Sequence, residues 1–100
     1  MKITKKEETE LITVSFEGRL DKISSPAIEE ELKPEVEKSK DMILDFKDLL
    51  YISSAGLRIL IALQKELKAK GKNMTIINPN EDVLDILKVT GFIYILNVKV

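Results

Sequence analysis

Hydrophobic and polar positions alternate through "LITVSFE", residues 11 to 17, with Ile12, Val14 and Phe16 on one side and Thr13, Ser15 and Glu17 on the other. A period of two is that of a strand with one buried face, so a strand is expected there. The preceding "MKITKK" is placed as a short antiparallel neighbour, with the acidic "EETE" turning between them. The alternation stops at "GRLDKISSP", where Ser25 followed by Pro26 has the form of a helix N-cap with proline in the first helical position. Ile28, Leu32 and Val36 then recur every four residues, a narrow apolar stripe on a helix otherwise covered by Glu and Lys. Pro34 interrupts that stripe. An interior proline loses a backbone hydrogen bond and costs on the order of 3 kcal/mol, so a kink or a break is expected.

"MILDF", residues 42 to 46, is a short apolar run ending at Asp45, the pattern of a strand buried on both faces, with a loop after it. From Ser54 or Ala55 to about Ala69 the chain reads as a helix, closed by Gly71 among Lys68, Lys70 and Lys72. "NMTIIN" is the next strand, ended by Asn78 and Pro79. A short helix, "EDVLDILKV", stops at Thr90 and Gly91, and "FIYILNV" is placed as the last strand. Strands alternating with helices imply crossover connections and parallel pairing. The expected fold is α/β, a mainly parallel mixed sheet of four to five strands flanked by about three helices, in one domain spanning residues 1 to 100.

Composition narrows the chemistry. The 100 residues carry 44% apolar and 33% charged side chains, enough for one core. A net charge of −1 gives no electrostatic footprint for nucleic acid or an anionic membrane. With no cysteine and no histidine, thiolate catalysis, imidazole bases and most zinc sites are absent; no catalytic residue, metal site or cofactor is assigned. The N-terminus lacks the apolar core of a signal peptide and no run reaches the roughly 20 apolar residues of a membrane span, so a cytoplasmic location is expected.

The pattern around Ser53 and Ser54 bears on three chemistries. A nucleophilic serine needs an oriented base and a turn that exposes its oxygen, and the chain offers neither. Asp45, at a strand end, stands where a receiver-like domain carries its phosphoaspartate. Such a site also holds Mg²⁺ with further acidic side chains, and only Asp21 is near that place in the pattern. No phosphate-binding glycine loop is present. There remain two uses of the serines, which one geometry serves: a serine cap accepts a hydrogen bond from an orphan first-turn amide, and a phosphate there would meet free amides and the positive end of the helix dipole.

Along the helix, Leu60, Leu63 and Leu67 group on one side as the core face. Ser54, Leu57, Arg58, Ile61 and Lys65 fall on another. Either Leu57 and Ile61 widen the core stripe, or they join Arg58 in a partner-binding face that a phosphate on Ser54 would spoil by charge and desolvation.

The segment "ILDFKDLLYISSAGLRIL" resembles the signature of the anti-sigma factor antagonists, single STAS domains of bacterial partner-switching systems. That signature is a strand ending in Asp, a short loop with an aromatic residue, then a serine, a small residue, Gly and Leu opening a helix. "GRLD" at residues 18 to 21 and "LKVTGF" at residues 87 to 92 match as well. The resemblance implies a STAS fold with Ser54 as phosphoacceptor, Ser53 being the alternative. It implies Asp21 as an acidic partner contact close to it; joined to the helix face read from spacing, the expected partner-binding surface takes in Asp21, Ser53, Ser54, Leu57, Arg58 and Ile61. It further implies binding to an anti-sigma factor that is a serine kinase of the GHKL type, which frees a sigma factor. Phosphorylation by that kinase with ATP and Mg²⁺ would end the complex, and a serine phosphatase would restore it. The other member of the same class is a STAS domain that is never phosphorylated and serves as a scaffold or ligand sensor. The family usually has Asp just before the acceptor, where this chain has Ser53, and many relatives continue into a further helix past the position of Val100.

Overall fold

A computed structural model describes residues 1–99. The alternating residues at 11 to 17 belong to a strand of ten, β2 (Leu11–Leu20), whose Ile12, Val14 and Phe16 are almost wholly buried. Strand β1 (Lys2–Glu7) pairs antiparallel with it, Ile3 opposite Phe16 and Lys5 opposite Val14, and the turn between them is closed by the Glu8 amide donating to the Leu11 carbonyl. The other elements are α1 (Ser25–Glu37), β3 (Asp41–Ile52), α2 (Ser54–Ala69), β4 (Met74–Ile77), α3 (Glu81–Thr90) and β5 (Asn97–Lys99). The strands lie in the order β1-β2-β3-β4-β5, every pair after the first being parallel. This is the expected mixed, mainly parallel sheet with three helices.

The core forms where one face of the sheet meets apolar stripes of the helices. Phe16, Met42, Leu44, Phe46, Met74 and Ile76 meet Ile28, Leu32 and Val36 of α1 and Leu60, Leu63 and Leu67 of α2 in one buried cluster. Phe16 and Phe46 sit edge to face, centroids 5.2 Å apart at 83°, an arrangement that adds to area burial because the ring edge is positive and the face negative.

Five expectations need correction. Strand β3 does not end at Asp45 but runs on to Ile52. Its register shows why the sequence hid this: Ser15 pairs with Asp45 but Glu17 with Asp48, and Gly18 pairs with Leu49 but Arg19 with Tyr51. At each step β3 spends one more residue than β2, so two bulges break the alternation while the pairing continues. Nor is β3 buried on both faces, since Met42, Leu44 and Phe46 are buried but Ile43 and Asp45 are only half-buried.

Helix α1 passes through Pro34 without breaking. Proline removes the bond to the carbonyl four residues back, and that residue, Glu30, is exposed, so water can take the carbonyl. Ser25 is not the cap of α1. Ser24 holds that position, and its hydroxyl donates to the Arg19 carbonyl (2.7 Å) and accepts from the Asp21 amide (3.0 Å) instead of meeting a helix amide. Finally, most of "FIYILNV" is not a strand: Gly91, at φ 78°, ends α3, Phe92–Tyr94 form one 3-10 turn, and only Asn97–Lys99 join the sheet. Strand β4 is four residues long and offers pairing partners only at Thr75, Ile76 and Ile77. The apolar run is satisfied by packing, with Leu96 buried and Phe92 and Ile93 resting on the core.

Candidate functional site: the start of helix α2

The bulges of β3 bring Ile52 opposite Leu20 at the end of the parallel sheet. The Ser53 amide then donates to the Leu20 carbonyl at 2.9 Å, which fixes the entry to α2 beside the end of β2. Ser53 is extended (φ −97°, ψ 175°) and its Oγ accepts from the Gly56 amide at 3.4 Å, while its carbonyl accepts from the Leu57 amide at 2.9 Å. Ser53 is therefore the cap. Ser54 is the first helical residue, exposed, and among the described residues its side chain makes no hydrogen bond.

Gly56 permits this arrangement. A Cβ there would lie 2.9 Å from Leu20 Cγ, from Ile52 Cγ1 and from the Leu20 carbonyl oxygen. The first turn of α2 thus presses directly on the ends of two strands, and that approach draws Leu57 inward. Leu57 is 2% exposed and part of the core, so the expectation that it belongs to a partner-binding surface is corrected; it widens the core stripe. Ile61 is half-buried against the core, whereas Arg58 is exposed.

Asp21 follows Leu20 directly and so stands at the same end of the sheet. Its Oδ1 accepts from the Ser24 and Ile23 amides, 3.0 Å each. The Ser24 amide does most to hold the Asp21 carboxyl below its ordinary range, against partial desolvation, with further help from the Ile23 amide, the Ser24 hydroxyl and the Arg19 charge. Asp21 is ionised near neutral pH and shapes its own loop.

The pattern of the sequence did not reveal the apolar part of this end. Ile23 is 90% exposed and Leu50 61% exposed, and together with Met1, Arg19 and Asp21 they line a concavity of about 480 Å³. Arg19 lies over the Tyr51 ring, 4.4 Å from its centroid, a cation–π contact that pins both side chains. An isolated apolar residue inside the polar "LDKISS" was the available signal for Ile23. A second groove, about 400 Å³, separates the start of α1 from α2 and is lined by Lys22, Pro26, Glu29, Ala55, Arg58 and Ile59 among others. Asp45 is not poised as a phosphoacceptor at a strand end: it is half-buried in mid-strand, accepting from the Lys47 amide at 3.0 Å and from Asn78 Nδ2 at 3.2 Å. No helix among the described residues is long and apolar enough to cross a membrane.

The profile of the STAS domain matches residues 2–99. The chain belongs to the STAS domain family. Among characterised sequences, the anti-sigma-B factor antagonist of Bacillus subtilis is 28% identical over 88 residues, 88% of this chain and 81% of that protein. Among solved structures, an anti-sigma factor antagonist from Mycobacterium paratuberculosis superposes with a TM-score of 0.87, at 19% identity, over 97% of this chain and 83% of that one. The anti-sigma factor antagonist SpoIIAA matches in its unphosphorylated form (TM-score 0.77, 19% identity, 99% of this chain and 88% of that one). The phosphorylated form from Bacillus matches too (TM-score 0.74, 17% identity, 99% and 92%). For this STAS domain these likenesses establish the fold.

Proposed function

We propose that this STAS domain is an anti-sigma factor antagonist whose binding surface is switched at Ser54. Unmodified, it binds an anti-sigma factor serine kinase of the GHKL type and so frees a sigma factor. The kinase, using ATP and Mg²⁺, phosphorylates Ser54 and the complex ends; a serine phosphatase resets it. The chain is substrate and binder in this scheme, and contributes no catalytic group. The surface comprises Asp21, Ser53, Ser54, Arg58 and the exposed edge of Ile61, with Ile23 and Leu50 as apolar neighbours.

The observation that carries this reading is the division of work between the two serines. Ser53 spends its oxygen on the Gly56 amide, in the place where the family usually has Asp. Ser54 is exposed and uncommitted at the positive end of a helix of 16 residues, where a phosphate is favoured by the dipole. Adding nearly two negative charges changes the surface while the fold stands.

The test is phosphorylation of the full chain by the kinase encoded in the same genome, with ATP and Mg²⁺, followed by intact-mass and peptide mapping. One phosphate on Ser54, absent from Ser54→Ala and retained in Ser53→Ala, is expected. Phosphate on Ser53, or an acid-labile phosphate on Asp45, would overturn the assignment.

A further inference from the structure

Ser54 and Arg58 stand at positions i and i+4 of α2, so their side chains leave the same face one turn apart. Side chains on a helix lean toward its N-terminus, which carries the Arg58 stem over the turn that Ser54 opens. Arg58 is exposed and, among the described residues, forms no ion pair, although several lysines of the molecule do. The charged groups around it are few. Lys22 and Glu29 share its groove from the α1 side, and Asp21, at the same end of the sheet, has its carboxylate engaged by the Ile23 and Ser24 amides.

We propose that Arg58 is the residue the switch moves: in the unmodified domain its guanidinium meets an acidic group of the partner, and a phosphate on Ser54 recruits it back onto the domain's own surface. This rests on the reading of Ser54 as phosphoacceptor. In the transfer, the bond from Ser54 Oγ to the γ-phosphorus of ATP forms as the bond to the ADP oxygen breaks, and the hydroxyl proton leaves to a base of the kinase. The product carries a dianion within reach of a planar cation that can pair with two of its oxygens. Phosphorylation then does two things at once, adding negative charge and withdrawing a positive one from the partner. Release is steeper than repulsion alone would make it.

The experiment is a ³¹P NMR pH titration of the phosphorylated full chain, beside Arg58→Gln and Lys68→Gln, each first mapped by mass. The phosphoserine midpoint is expected roughly half a pH unit lower in the parent than in Arg58→Gln, since a nearby opposite charge favours the dianion. Lys68→Gln removes the same charge about 20 Å along the helix from Ser54, beyond a Debye length, and should leave the midpoint in place. In the unmodified state, Arg58→Gln should bind the kinase roughly tenfold more weakly, as loss of a paired interface charge does. An unshifted midpoint in Arg58→Gln, an equal shift in Lys68→Gln, or unchanged kinase affinity in Arg58→Gln overturns the proposal while phosphate on Ser54 keeps the underlying reading. Absence of phosphate from Ser54 overturns both.

Discussion

At the scale of single residues, Ser53, Ser54 and Gly56 have separable jobs and so separable mutant effects. Ser53→Ala removes a cap and should lower stability by about 1 kcal/mol, read by denaturant unfolding. Ser54→Ala, at an exposed position without a bond, should stay within about 0.5 kcal/mol. Gly56→Ala places a methyl group against the Leu20 carbonyl, which cannot yield unless the end of β2 moves. A loss of roughly 1–3 kcal/mol is expected, as for other overpacked sites, and an unchanged melting temperature would contradict this close approach. The serine pair was visible in the sequence, yet which serine caps depends on where the backbone turns from extended to helical, a one-residue boundary that periodicity does not resolve. Leu57 illustrates the same limit. Its place beside the core stripe suited either role, and the contact of Gly56 with two strand ends decides for the core.

At the scale of elements, α1 tests how far local rules reach. Pro34 sits inside the helix and is exposed, so Pro34→Ala would restore the missing bond to Glu30 without altering the core. Thermal unfolding should show a gain of about 1–3 kcal/mol; a loss would mean that the proline ring has a packing role. Elements with regular periods were legible: β2, α2, β4 and α3 lie where spacing put them. The elements that spacing misplaced have physical causes. Two bulges made the second half of β3 look like a loop, and the apolar run after Gly91 packs as a turn because β4 is too short to pair with all of it. The Ser25–Pro26 signal was one residue late, since Ser24 and Asp21 exchange bonds with each other before the helix begins.

At the scale of the whole molecule, the end away from Ser54 is tied by charge. Glu7 of β1 pairs with Lys38 (2.7 Å) and Lys40 (2.6 Å), and Glu35 of α1 pairs with Lys38 (2.9 Å) and Lys5 (3.3 Å). The hydrogen bond from Lys38, then that from Lys40, lowers the Glu7 carboxyl to about 2. Burial raises that of Glu35, and the bonds from Lys38 and Lys5 outweigh it, leaving it below the ordinary value. A carboxylate whose folded-state pKa is depressed stabilises the fold above its unfolded pKa and loses that contribution as pH falls through the folded one. The melting temperature should therefore drop between the ordinary carboxylate range and about pH 2, and Glu7→Gln should flatten that part of the profile. An identical acid profile for Glu7→Gln would show that the pairs are idle.

The switch itself is also a property of the whole molecule, because it requires that a phosphate change binding while the fold stays as it is. Its most direct measurement is titration calorimetry of the cognate anti-sigma kinase with unmodified chain and with chain phosphorylated at Ser54, both confirmed folded by circular dichroism. The unmodified chain is expected to bind, and the phosphorylated one to bind at least tenfold more weakly, the effect of like charge and desolvation at an interface. Equal affinity of the two folded forms would contradict a switch at Ser54.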